Sequence, residues 1–292
     1  MDQCKRLKGL LNSDETVYAL EAHSAASAIV AERAGFQVIW ASGLTLSASL
    51  GHRDSNELSW TNLCDQFEYM ADATRVPVLV DGDTGFGNFN NVRMLVRKLE
   101  KCGIAGVCLE DKIFPKTNSF LPYNQSLTSI EEFSGKIQAA KDSQRDTDFS
   151  VIARTEAFIA GFGVDEALER AHAYREAGAD AILVHSKRST IEEIESFCCH
   201  WKETTPLVIV PTKYASTPSS LYETLGISMV IWANHLFRAS LLYMQKVAEK
   251  ICLEKSVLGI ENEIATLDDV FDLVDEEELK QAEERYLSGA RL

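Results

Sequence analysis

Val78-Leu79-Val80-Asp81-Gly82-Asp83-Thr84-Gly85-Phe86-Gly87-Asn88 sets the pattern for the whole chain. A strand-length apolar run delivers two carboxylates into a glycine-rich turn, and a helical pattern from Asn91 to Cys102 follows. That is one β-then-α unit. Similar β-rich runs stand at Thr16 to Ala22, Gln37 to Ala41, Val76 to Asp81, Gly106 to Glu110, Ser150 to Thr155, Ala181 to His185, Leu207 to Pro211 and Ser228 to Trp232. Amphipathic stretches such as Val164 to Ala177 and Thr190 to Trp201 separate them, and several close on glycine as helices do. Eight such units predict an α/β fold, a (β/α)8 TIM-like barrel rather than an open doubly wound sheet.

With 292 residues, only six prolines and no Ser/Gly/Pro-rich linker, the chain reads as a single domain over 1–292, with about 250–292 as a C-terminal helical appendage. A formal charge of −15 argues against nucleic acid and against an anionic membrane surface, leaving small-molecule ligands. An anionic substrate then needs a local cation, from lysine and arginine or from a bound metal. Seven cysteines with no C-x-x-C pair fit reduced thiols, and no apolar run approaches a membrane span, so a cytoplasmic protein is expected.

In a barrel of this kind chemistry gathers where strands end. Here those ends carry Trp40 to Leu44, Asp81 and Asp83, Glu110 to Lys112, Arg154 and Glu156, His185 and Lys187, Thr212 and Lys213, and Asn234 and His235. Asp81 and Asp83, two apart, project to one side of an extended backbone, and Glu110 closes the neighbouring strand. Three carboxylates together call for a hard cation, Mg2+ or Mn2+ rather than zinc. Taken singly, the aspartates are equally readable as partners of loop amides, and Glu110-Asp111-Lys112 as a surface ion-pair network. Between Glu110 and about Ser129 no helical pattern forms, and such a long connection suggests a mobile lid.

In these stretches the chain resembles the phosphoenolpyruvate mutase branch of the isocitrate lyase superfamily. The resemblance rests on Trp40-Ala41-Ser42-Gly43-Leu44, Gly51-His52-Arg53-Asp54-Ser55-Asn56-Glu57, Asp81-Gly82-Asp83-Thr84-Gly85, Glu110-Asp111-Lys112-Ile113-Phe114-Pro115-Lys116-Thr117-Asn118-Ser119, Ala153-Arg154-Thr155-Glu156-Ala157 and Val210-Pro211-Thr212-Lys213-Tyr214. It implies a barrel whose eighth helix is swapped between subunits of a dimer-of-dimers homotetramer, with the acidic segment Leu267 to Leu287 packed across a subunit contact. It implies Asp81 as direct Mg2+ ligand, with Asp83 and Glu110, and Asp54 nearby, holding its waters. Backbone N–H groups of Gly43 and Leu44 would meet the substrate carboxylate or enolate oxygen, beside Ser42 and under Trp40. Arg154 and His185 would face the phosphoryl group, and Lys116, Asn118 and Ser119 would close over it.

The activity so implied is interconversion of phosphoenolpyruvate and 3-phosphonopyruvate, through a loose metaphosphate-like state or a phosphorylated Asp54, with residues 113 to 128 excluding water. Two branch alternatives remain. Carbon–carbon lyases carry a loop cysteine that Lys112-Ile113-Phe114-Pro115-Lys116 lacks, and phosphonopyruvate hydrolases typically have threonine where this chain has Asn118.

Overall fold

The computed structural model describes residues 2–122 and 125–287. Eight strands, β1 (Val17–Ala22), β2 (Val38–Ala41), β3 (Val78–Asp81), β4 (Gly106–Glu110), β5 (Ser150–Thr155), β6 (Ala181–Val184), β7 (Leu207–Ile209) and β8 (Met229–Trp232), close a barrel in chain order. Every neighbouring pair is parallel, and β8 returns to β1. The expected barrel is therefore present. β4 and β5 fall on their expected residues, whereas β7 stops at Ile209, two residues ahead of Pro211, which has no N–H to donate to a ladder.

The helices are α1 (Gln3–Leu11), α2 (Ala25–Arg33), α3 (Gly43–Ser49), α4 (Trp60–Ala73), α5 (Phe89–Lys101), α6 (Ile130–Ser143), α7 (Val164–Glu176), α8 (Glu192–His200), α9 (Ser219–Thr224), α10 (His235–Glu254), α11 (Leu267–Leu273) and α12 (Glu276–Tyr286). Local signals set several starts. Asn88 caps α5 with a reciprocal box to Asn91, and the Ser129 hydroxyl accepts from Glu132 N–H at the head of α6.

Alternation along the strands decides which side chains enter the barrel. Val38, Leu79, Cys108, Ile152, Leu183, Val208 and Ile231 fill its interior, and Leu7 and Leu11 of α1 join that cluster. Their alternates, among them Ile39, Val80, Leu109, Val151 and Ala153, pack outward with the helices. The same parity carries Glu21, Trp40, Asp81, Glu110 and Arg154 to the last inward positions, and these are polar except for Trp40. Glu21 is fully buried and serves architecture: it accepts from Leu236 N–H at 2.8 Å and pairs with His23 Nδ1 at 2.8 Å, anchoring the first turn of α10.

The chain divides into two units, Met1–Phe237 and Arg238–Leu292, so the division falls inside α10, ahead of position 250. In the second unit Tyr243 Oη donates to Glu263 O at 2.6 Å, fastening the turn after α10 back onto that helix. Over the acidic segment Leu267 to Leu287 the chain forms two helices, α11 and α12. Asp275, at φ +57°, breaks the run and its carboxylate accepts from Glu278 N–H.

No helix among the described residues is long and apolar enough to cross a membrane.

Candidate active site

Trp40, Asp81, Glu110, Arg154 and His185 line one cavity with Ser42, Leu44, Asp54, Thr212 and Asn234. Lid residues Lys116 to Phe120 complete it. The base of the lid is pinned by Lys112 bridging to Leu127 and by Ile113 N–H donating to Ser126 O at 3.1 Å. Of the expected lid, residues 123 and 124 lie outside the described residues.

One side of the cavity is acidic. Asp81, Asp83 and Glu110 are 7, 4 and 2% exposed. Asp81 Oδ2 accepts from Gly43 N–H at 3.3 Å, and Asp83 Oδ2 from Asn56 Nδ2 at 2.7 Å. The Lys116 ammonium enters from the lid, 2.8 Å from Asp54 Oδ1 and in contact with Asp83 Oδ1. Asn118 Nδ2 donates to Asp54 Oδ2 at 2.7 Å, and Asn56 Oδ1 accepts Lys116 N–H at 2.8 Å. Burial and the neighbouring Asp81, Asp54 and Glu110 push Asp83 up to about 8, although Lys116 pulls against them. Burial also raises Glu110; at Asp54 burial acts the same way, but Lys116, Asn118 and Arg154 together outweigh it and hold the carboxyl low.

The other side is cationic around one carboxylate. Glu156, fully buried, takes Arg154 Nε at 2.5 Å and His185 Nδ1 at 2.6 Å on Oε1. Its Oε2 takes Ser119 Oγ at 2.6 Å and Lys112 Nζ at 3.2 Å. Arg154 Nη2 also reaches Glu110 Oε2 at 3.3 Å, joining the two halves. Burial pushes His185 down, with the Glu156 carboxylate pulling the other way.

Asp54, Asp81, Asp83, Glu110 and Glu156 face Lys112, Lys116 and Arg154 in a buried site, an excess of two negative charges once all five acids are ionised. A divalent cation fits that excess. Two observations favour one here. Glu110 Oε1 is buried without a hydrogen-bond partner, and a Cβ on Gly43 would stand 3.1 Å from Asp83 Oδ1 and 3.3 Å from Asp81 Oδ2. The three carboxylates do not close to the spacing of direct ligands. Among the described residues only Asp2, Cys4 and Asp146 do, and there Asp2 caps α1.

The structure thus brings Trp40, Ser42, Leu44, Asp54, Asp81, Glu110, Lys116, Asn118, Ser119, Arg154 and His185 around one cavity, with Asp83 and Gly43 against Asp81 and Lys116. Four sequence readings change. Asp81 and Asp83 converge because Asp83 is left-handed (φ +49°), not through extended alternation. Asp111 and Lys112 are 0 and 1% exposed, so they form no surface network. Gly43 N–H is spent on Asp81. Lys116 sits on the carboxylates of Asp54 and Asp83. The organising role of Glu156 had one legible signal, its spacing of two from Arg154 on a β rhythm. Asn56 had none.

A family profile described as phosphoenolpyruvate phosphomutase matches residues 7–252. The chain is 51% identical over 283 residues to the phosphoenolpyruvate phosphomutase of Tetrahymena pyriformis, covering 97% of this chain and 94% of that one. The crystal structure of a phosphoenolpyruvate phosphomutase from Streptomyces platensis subsp. rosaceus superposes with a TM-score of 0.95 at 45% identity, covering 97% of this chain and 99% of that one. A phosphonopyruvate hydrolase solved with oxalate and Mg2+ gives a TM-score of 0.93 at 38% identity, covering 98% and 100%.

Proposed function

This chain belongs to the phosphoenolpyruvate phosphomutase family, and from that membership we propose that it is an isomerase interconverting phosphoenolpyruvate and 3-phosphonopyruvate. The observation that carries the choice of mutase over hydrolase is Asn118. Its amide donates to Asp54 beneath the lid, at a place where a hydroxyl would be needed to orient water. Identity points the same way, 51% to a phosphomutase against 38% to the hydrolase.

In this reading Asp81 holds Mg2+, or Mn2+ as the alternative, with Asp83 and Glu110 holding its waters; the ion supplies positive charge for the pyruvate enolate oxygen. Ser42 and the Leu44 backbone orient the carboxylate end under Trp40. Arg154 and His185 hold the phosphoryl group as it moves from enol oxygen to C3. Both oxygens of Asp54 are engaged, by Lys116 and Asn118, which favours a loose metaphosphate-like transfer over a phosphorylated Asp54. Lid side chains Lys116, Asn118 and Ser119 keep water away while the group is unattached.

The same reading takes the chain as one barrel domain with a C-terminal helical appendage, assembled as a homotetramer of swapped helices in the cytoplasm. Exposed Leu241, Leu242 and Met244 on α10, and seven free cysteines, support it.

Phosphorus NMR of the purified protein with phosphonopyruvate and Mg2+ tests the function. A growing phosphoenolpyruvate signal is expected; inorganic phosphate alone would overturn the mutase reading.

A further inference from the structure

Glu156 receives more donors than any reading of the strand ends assigned to it. Oε1 takes Arg154 Nε and His185 Nδ1, and Oε2 takes Ser119 Oγ and Lys112 Nζ. The first two belong to the anion-binding pair at the barrel mouth. Ser119 belongs to the lid, and Lys112, at the lid's base, also donates to Thr117 O at 2.7 Å.

The carboxylate fixes which nitrogen of His185 meets the ligand. Arg154 Nη2 also lies 2.8 Å from His185 Nδ1, but a guanidinium only donates and a carboxylate only accepts. Nδ1 cannot satisfy both as an acceptor and as a donor. The contact to Glu156 is shorter, 2.6 Å, and joins an anion, so the ring proton sits on Nδ1. Nε2, buried and without a hydrogen-bond partner, is left for the ligand, and it donates to a phosphoryl oxygen when the ring takes a second proton, a form the Glu156 carboxylate favours.

Ser119 is saturated by the same arrangement. Its hydroxyl donates to Glu156 and accepts from Lys112 Nζ at 2.7 Å and Arg154 Nη2 at 3.2 Å. A hydroxyl has one proton and two lone pairs, so all are spent. The slot is built jointly by the lid residue Ser119, by Lys112 at its base and by Arg154.

We propose that Glu156 is a positioning residue that couples lid closure to the Arg154–His185 pair, presenting His185 Nε2 to the phosphoryl group only when Ser119 has docked. The proposal rests on the phosphoryl-transfer reading above. Its consequence is a safeguard: the group is gripped only in a site from which water has been excluded. When coupling fails, water takes the group, and phosphonopyruvate and water give pyruvate and inorganic phosphate.

Glu156→Gln tests this because the amide is isosteric yet has one acceptor oxygen, so whichever way it turns, one pair of donors faces an N–H2. Three readouts apply: hydrogen exchange of residues 113–122 in the ligand-free protein, the ring nitrogen shifts of His185, and the share of phosphonopyruvate ending as inorganic phosphate. In E156Q, lid exchange and the phosphate share should each rise by about tenfold, and the His185 shifts should move. Ser119→Ala should raise lid exchange and the phosphate share and move the His185 shifts in the same direction as E156Q, whereas His185 shifts left in place would overturn the coupling. Wild-type lid exchange in both variants would overturn the coupling, and Ser119→Ala decides alone if E156Q does not fold. If the wild-type protein leaves phosphonopyruvate unchanged, the functional reading fails; the exchange and nitrogen shifts still judge Glu156.

Discussion

Lys116 and Asp54 meet at 2.8 Å, with side chains 5 and 8% exposed, so a lid cation and a carboxylate from the segment after α3 are joined across the cavity. The two are far apart in sequence, and Lys116 also contacts Asp83. The lid is thus held by a buried ion pair whose members both belong to the proposed catalytic set. Lys116→Met leaves Asp54 and Asp83 facing each other uncompensated. Turnover should fall by at least about 100-fold, the scale for losing one preorganised charge. Steady-state rates with phosphonopyruvate measure it, and a loss under threefold would show that the pair only fastens the lid.

Asn118 uses both ends of its amide, Nδ2 on Asp54 and Oδ1 accepting Phe120 N–H at 3.0 Å. Threonine can replace neither geometry and adds a hydroxyl to the cavity. Asn118→Thr should divert phosphonopyruvate from phosphoenolpyruvate toward pyruvate and phosphate, read as the ratio of the two phosphorus signals. An unchanged ratio would place the isomerase–hydrolase distinction elsewhere.

Asp83 links metal binding to pH. Burial among carboxylates raises it to about 8, so in metal-free protein its stabilising protonated form is progressively lost as pH rises through that value. Below it, a divalent cation has to displace the proton. Calorimetry should find Mg2+ binding releasing close to one proton at pH 6.5 and few at pH 9, with affinity weakening about tenfold per unit below the Asp83 value. Equal affinity at both pH values would mean that Asp83 does not take part. EDTA-treated protein should lose turnover and regain it on adding Mg2+.

Arg170 on α7 donates to Asp111 Oδ2 at 3.1 Å and to Thr128 O at 3.1 Å, and Tyr174 Oη donates to the same Asp111 oxygen at 2.7 Å. Asp111 in turn accepts Glu156 N–H at 2.8 Å, which places this buried pair under the base of the lid. Arg170→Met strips a fully buried carboxylate of its counter-charge. The expected cost is roughly 3–5 kcal/mol in urea unfolding. A loss below 1 kcal/mol would show that Tyr174 and the backbone suffice.

The barrel was legible because its signal is local and repeated. Val78 to Asp81 and Gly106 to Glu110 announce strands by composition, and Asn88 and Ser129 announce the helices that follow. Inward parity even marks Trp40, Asp81, Glu110 and Arg154 as rim residues. Asn56 and Arg170 carry no such mark, since each looks like an ordinary polar residue until its partner 60 and 59 positions away is known.

The chain's own order of residues determined the eight β-then-α units, the polar rim and the stock of acids and bases that meet there, because these follow from alternation, capping and composition over a few residues. Which charge faces which was decided only by closing the barrel and lowering the lid. Asp83 turns back through a left-handed residue, Lys116 meets Asp54 and Asp83, and Glu156 gathers four donors. Such pairings depend on distances in a space of low polarity, where a few ångströms settle which ions remain charged, and no local rhythm of residues encodes those distances.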